Sequence, residues 1–128
     1  MTRRTFHFRR EGEQAFGYAQ AVQSGQTLHV SGTLAVTDAF QTIGAGNMRA
    51  QLIAVYDALR QTLEAFDATF AHVVKETIFV TDMDAFIEAN DIRLAIYAGL
   101  DLPAVTAVEV RRLAFPGNMI EIELIAAL

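Results

Sequence analysis

Glu121, Tyr18 and the pair Ser31 and Gly32 are the groups in this chain whose types suit proton transfer on a small polar substrate. A carboxyl on a strand can take or give a proton at neutral pH when its surroundings raise its pKa. A phenol and a serine hydroxyl can orient a bound group through hydrogen bonds. Asn90, and Val105 and Thr106 at the start of the strand that follows Pro103, complete the set. Each has an ordinary alternative: Tyr18 as a core-edge residue, Asn90 on a helix surface, Glu121 as a solvated strand residue, Val105 as core filling. Other chemistries are poorly provided for. His7, His29 and His72 lie far apart and form no HxxxH or HExxH pair, so no metal site is expected. "HVSGTL" is not a nucleophile elbow, and the chain holds neither GxxxxGK[ST] nor GxGxxG. With no cysteine there is no thiol nucleophile and no disulfide, which suits the reducing cytoplasm.

The 128 residues suit one domain, 1–128. Hydrophobic residues make up 52%, rich for a domain of this size, and this points to apolar surface covered by another subunit. No apolar run reaches the length of a membrane span, and no apolar signal core follows the basic start "MTRRTFHFRR". A net charge of −5 and a single lysine, Lys75, oppose a nucleic-acid footprint, which needs clustered cations. Arg3, Arg4, Arg9 and Arg10 read as a solvated edge.

The elements that must position the candidate residues follow from periodicity. "TRRTFHFRR" reads as an edge strand guarded by arginines. "AFGYAQAVQSG" reads as a second strand and "QTLHVSGTLAV" as a third, where Ser31 and Gly32 mark a bulge or a close backbone approach. "TDAFQTIGAGN" is loop. Met48, Leu52, Val55, Tyr56, Leu59, Leu63 and Phe66 then recur every three or four residues, giving an amphipathic helix capped by Asn47 or Gly46. "AHVVKETIFVTDM" is a β-branched strand. Asp82 or Asp84 opens a helix over about 84–98, with Phe86, Ala89 and Ile96 inward, and Gly99 ends it. "AVTAVEVRRL" and "MIEIELIAAL" are strands joined by the turn "AFPGN". The order β-β-β-α-β-α-β-β predicts an α+β fold, a mixed sheet with two helices on one face. In the last strand Ile120, Ile122 and Leu124 alternate with Glu121, Glu123 and Ile125, so Glu121 falls on the face away from the helices. A glutamate there makes sense at a pocket on a subunit boundary.

Taken in order, "GYAQAVQSGQTLHVSGTLAV", "VVKETIFVTDMDAFIEAN", "PAVTAVEVRRL" and "IEIELIA" resemble the Rid proteins, the RidA/YjgF family also called L-PSP endoribonucleases, from about Gly17 to Ala126. The resemblance implies a chorismate-mutase-like fold and a homotrimer with clefts between neighbouring subunits. It implies hydrolysis of reactive enamines and imines to 2-keto acids and ammonia, without metal or cofactor. By the same resemblance Tyr18, Ser31, Gly32 and Asn90 line the cleft, Glu121 positions or activates water, and Thr106 lies beside the carboxylate grip. Val105 departs from the pattern: RidA-type members read "PAR" where this chain reads "PAV". An arginine clamps a carboxylate through a planar fork, and valine has no donor. Loss of such a clamp typically costs a few kcal/mol, or about two to three orders of magnitude in affinity.

Two main readings follow. One keeps the water chemistry on a substrate altered by Val105, with Arg111, Arg112 or an N-terminal arginine as substitute grips. The other is a non-catalytic small-molecule-binding or regulatory trimer. RNA cleavage, the family's other label, fits poorly with the acidic charge. The expected partner is a small molecule and further copies of the chain, with no nucleic acid and no membrane.

Overall fold

The computed structural model describes residues 3–128. Six strands form one sheet: β1 (Arg3–Phe6), β2 (Ala21–Ser24), β3 (Thr27–Leu34), β4 (Val73–Val80), β5 (Ala104–Glu109) and β6 (Ile120–Ala127), in the order β1-β2-β3-β6-β4-β5. All neighbours are antiparallel except β4 and β5. The helices are α1 (Arg10–Phe16), α2 (Met48–Glu64), α3 (Met83–Glu88) and α4 (Asn90–Ile96). This is the α+β mixed sheet expected from the sequence.

The core lies between the sheet and α2. Leu52, Val55, Leu59 and Leu63 of α2 are fully buried, as are Ile120 and Ile122 of β6 and Ile78 of β4. On β6 the alternation holds along its length, so Glu121, Glu123 and Ile125 stand on the opposite, open face. Asn47 caps α2, its Oδ1 accepting from the Ala50 N–H at 3.0 Å. The basic edge is as expected for Arg3 and Arg4 on the outer strand β1, with the Arg4 guanidinium 4.6 Å from the Phe66 ring centroid, but not for Arg9, whose guanidinium is largely buried and donates to the Val36 carbonyl at 2.8 Å, nor for Arg10, which opens α1. Among the described residues no helix is long and apolar enough to cross a membrane.

Three boundaries differ from the sequence expectation. Residues 10–16 form a helix, taking Arg10, Ala15 and Phe16 from the two strands read in the sequence and filling the unassigned stretch 11–14 between them. The fully buried Glu13 carboxylate reaches back to accept from the backbone N–H of Arg9 at 2.6 Å and of Phe8 at 3.2 Å, and contacts His7 Nδ1 at 2.8 Å. Those bonds end β1 and open α1, so local capping overrides the alternation. The helix expected over 84–98 is two helices, capped by Asp82 and broken at Ala89 (φ −92°, ψ 5°). β5 stops at Glu109, and 111–118 is loop.

A second buried acid lies beneath α4. Glu76 of β4 is fully buried and points among the helices. Arg93 Nε donates to it at 2.8 Å, the Tyr97 hydroxyl at 2.7 Å and the Tyr56 hydroxyl at 3.2 Å. Burial and the adjacent carboxylate push both phenol pKa values far up, so both remain donors. Phe70 packs on the two phenol rings at 5.8 and 5.6 Å. Removing Glu76 leaves the Arg93 charge buried and unpaired. Glu76→Ala is expected to destabilise the chain by about 3–5 kcal/mol in urea unfolding. A loss below about 1 kcal/mol would show that the network contributes little.

Candidate functional site

The open face of the sheet acquires a pocket where β3 departs from regular pairing. β3 pairs with β6 up to Val30↔Leu124 and resumes at Thr33↔Ile122, leaving a bulge at Ser31 and Gly32. The bulge is stitched to the segment before β2. Ser31 N–H donates to the Gln20 carbonyl at 2.9 Å and Ser31 Oγ to the Ala19 carbonyl at 2.6 Å. Beneath it, the buried Gln20 amide donates to the hydroxyls of Thr33 at 3.0 Å and Thr62 at 3.2 Å. The Ser31 N–H and hydroxyl are thereby answered, and the Ser31 carbonyl accepts from the Thr33 hydroxyl at 2.9 Å.

The bulge makes room for Glu121. A Cβ on Gly32 would lie 2.8 Å from Glu121 Cδ and 2.9 Å from its Oε1. Only glycine lets the carboxyl lie against the backbone here. Among the described residues the Glu121 carboxyl has no hydrogen bond or ion pair within its own chain. Its pKa is raised above the ordinary carboxylate range by burial, and secondarily by the nearby Glu123. The Tyr18 pKa is raised too, by burial first and then by Glu13 and Glu121, against the opposing charge of Arg9. Its hydroxyl is therefore a proton donor over the whole neutral range.

A cavity of about 460 Å³ opens above these groups, lined by Tyr18, Ser31, Gly32 and Glu121 and by Phe16, Leu34, Phe40, Ala114 and Phe115. It brings together four of the seven residues expected from the sequence. The other three lie elsewhere in the same chain. Asn90 opens α4, and Val105 and Thr106 stand on the outer strand β5, where Thr106 accepts from Lys75 Nζ at 2.8 Å. A smaller cavity of about 300 Å³ on the same face is lined by Val22, His29, Lys75, Thr77, Glu123 and Ile125, among others. The three phenylalanines were not singled out in the sequence. Their signal was an apolar ring in each of three loop or loop-flanking stretches, "FGY", "DAFQ" and "AFPG", where apolar side chains lack a core to fill.

No group of three or more His, Cys, Asp or Glu among the described residues could hold a metal ion. His7 contacts Glu13 and His72 closes a capping box with Thr69. What the cavity offers is one carboxyl without a partner and able to carry a proton, one phenol donor, and apolar walls. That set suits addition of water to a small polarised double bond.

The family model described as Endoribonuclease L-PSP matches residues 10–128. A RutC family protein of Pyrococcus horikoshii is 34% identical over 109 residues, covering 85% of each chain. The mouse 2-iminobutanoate/2-iminopropanoate deaminase is 32% identical over 109 residues, 85% of this chain and 79% of that one. Among solved structures, a Rid family protein of unknown function from Yersinia pestis superposes with a TM-score of 0.89 at 25% identity, over 99% of this chain and 100% of that one. The chain belongs to the Rid family, also known as YjgF or L-PSP endoribonuclease.

Two outcomes follow from the geometry. Gly32→Ala displaces the Glu121 carboxyl, the free end of a flexible side chain, and is expected to change stability by less than about 1 kcal/mol in urea unfolding while moving the carboxyl off its seat. The raised Glu121 pKa means the folded chain holds that proton more tightly than the unfolded chain. Its contribution to stability is full below the unfolded value and is lost as pH rises through the folded one. Glu121→Gln should therefore raise Tm by about 1–3 °C at pH 7, and the gain should vanish near pH 4. A Tm difference independent of pH would contradict the burial argument.

Proposed function

We propose that this chain is an imine or enamine deaminase whose substrate preference is altered by Val105. The observation that carries the reading is the Glu121 carboxyl, seated against Gly32, raised in pKa and left without a partner beside the Tyr18 phenol. Similarity to the mouse deaminase supports the same class of reaction. Glu121 takes a proton from water as the water oxygen bonds to the imine carbon. The C=N π pair moves to nitrogen, which takes that proton from Glu121 to give the carbinolamine. Glu121 then takes the carbinolamine O–H proton and passes it to the nitrogen; the oxygen pair closes the C=O as the C–N pair leaves with nitrogen as ammonia. The balance is imine plus water to ketone plus ammonia, with no cofactor. Tyr18, always protonated at neutral pH, holds the substrate by donation.

The reading includes a homotrimer with the site shared between subunits. The outer strand β5 and its approach leave Leu102, Val105 and Val108 exposed by 69, 40 and 38%, an apolar edge of the kind that pairs or is covered. A neighbour's Val105, Thr106 and Asn90 would then complete the cavity. A monomer in sedimentation would count against this arrangement. Association through one patch does not need nucleic acid or membrane, and the net charge of −5 argues against an RNA substrate. The second reading, a small-molecule-binding trimer without turnover, is favoured by Val105, which removes the donor for a substrate carboxylate. We place the protein in the cytoplasm, where such imines arise.

The decisive assay generates 2-aminoacrylate with a serine dehydratase and follows 2-keto acid release with and without the protein. Acceleration abolished in Glu121→Ala supports the deaminase and means that the arginine is dispensable. Acceleration only in Val105→Arg means the machinery is intact but suited to a substrate without that anion, with a gain of about tenfold or more. No acceleration by either leaves the binding reading in possession.

A further inference from the structure

The cavity wall opposite Glu121 is built from three phenylalanine rings at unusual expense to the backbone. Phe40 has φ 61°, in the left-handed region that a side chain with a Cβ adopts only under constraint. The constraint is visible. Phe40 N–H donates to the Thr37 carbonyl at 2.8 Å, Thr37 N–H to the Gln41 carbonyl at 2.8 Å, and Gln41 N–H to Thr37 Oγ1 at 3.1 Å. Val36 and Thr42 bridge below. The Thr42 hydroxyl then donates to the Pro116 carbonyl at 2.7 Å, fastening this loop to the one that holds Phe115.

A second concession sits under the ring. A Cβ on Gly12 of α1 would lie 2.1 Å from Phe40 Cε2, so the ring occupies space that only a glycine leaves. Phe40 meets Phe16 at 5.4 Å and Phe115 at 5.8 Å, and Phe16 meets Phe115 at 6.0 Å, edge-on or tilted. The cluster is not core: Phe16 is 62% exposed. Packing alone does not repay a strained backbone at a half-exposed ring, whereas strained residues gather where a ligand is held.

We propose that Phe40, with Phe16 and Phe115, forms a side-chain subsite that selects imines bearing an aryl or large apolar group over those of short-chain amino acids. The proposal rests on the deaminase reading for turnover, but the subsite itself is a binding feature. Apolar contact with the rings replaces part of the hold that Val105 does not provide. Gly12 is a positioning residue, acting only through the Phe40 ring.

The test uses a D-amino-acid oxidase to generate the imine of phenylalanine or of alanine, with keto acid release followed for wild type, Phe40→Ala, Phe40→Leu and Gly12→Ala. Equilibrium binding of phenylpyruvate and pyruvate is measured alongside by calorimetry. Wild type is expected to favour the phenyl substrate in kcat/KM by at least about tenfold, with the ratio falling about tenfold in Phe40→Ala and Gly12→Ala and less in Phe40→Leu. Gly12 does not itself line the cavity, and its alanine variant acts by displacing the Phe40 ring, so a Phe40 that only fills space would leave the substrate ratio unchanged. A wild-type ratio near one overturns the subsite. If neither imine is turned over, the deaminase reading fails and binding decides. Tighter phenylpyruvate than pyruvate, lost in the folded Gly12→Ala or Phe40→Leu variant, sustains the subsite; equal affinities overturn it.

Discussion

A carboxylate buried in a small core has to be answered, and the answer given to Glu76 organises the helical layer. Arg93 and Tyr97 reach it from α4 and Tyr56 from α2, so one side chain of β4 ties two helices to the sheet. The chain buries a second acid, Glu13, and satisfies it differently, with backbone amides and a histidine ring at the start of α1. The third, Glu121, is half-buried and receives neither treatment. These three environments separate structure from chemistry. A carboxylate held by a guanidinium and two phenols has its lone pairs engaged and serves the fold. One that is partly buried, raised in pKa and unpartnered is free to act on a bound molecule.

The seat of Glu121 depends on β6 lying between β3 and β4. Its alternation drives Ile120, Ile122 and Leu124 into the core and so fixes Glu121 outward with no freedom of register. The bulge in β3 then withdraws one backbone position to admit the carboxyl. Gln20, Thr33 and Thr62 hold that bulge from beneath, which makes the site a consequence of rigid sheet geometry rather than of loop placement. Phe40 and Phe115 come from loops, Phe16 from the end of α1 and Tyr18 from the segment between α1 and β2, and the Phe40 loop is pinned by hydrogen bonds.

Much of this was legible in the sequence because it rests on short-range rules. The two-residue period of "IEIEL" gave the face of Glu121, and Ser31-Gly32 inside a strand pattern gave the bulge. What was hidden is long-range. The helix at 10–16 exists because Glu13 folds back onto amides at 8 and 9, and α4 is separate from α3 where its Arg93 and Tyr97 meet a glutamate on another strand. Neither partner is marked by periodicity. The Phe16, Phe40 and Phe115 cluster was missed for the same reason: three rings from three distant segments meet only after the sheet has formed. Asn90, Val105 and Thr106 were grouped with the site through resemblance, and a single chain does not bring them to it.

The apolar Val105 at the start of β5 offers no donor to an anion, and the phenylalanine wall offers apolar surface instead. A guanidinium clamp supplies affinity that is indifferent to the rest of the substrate, so a site that has one can afford small, varied imines. Without it, a short-chain imino acid presents the cavity with a carboxylate to desolvate and little apolar surface to bury. Binding must then come from the side chain, at roughly 25 cal/mol per Å² of apolar area removed from water. A phenyl-sized group offers enough such area to offset the missing ion pair; a methyl does not. A strained Phe40 and a glycine cleared for its ring are what such a shift in the source of affinity would require.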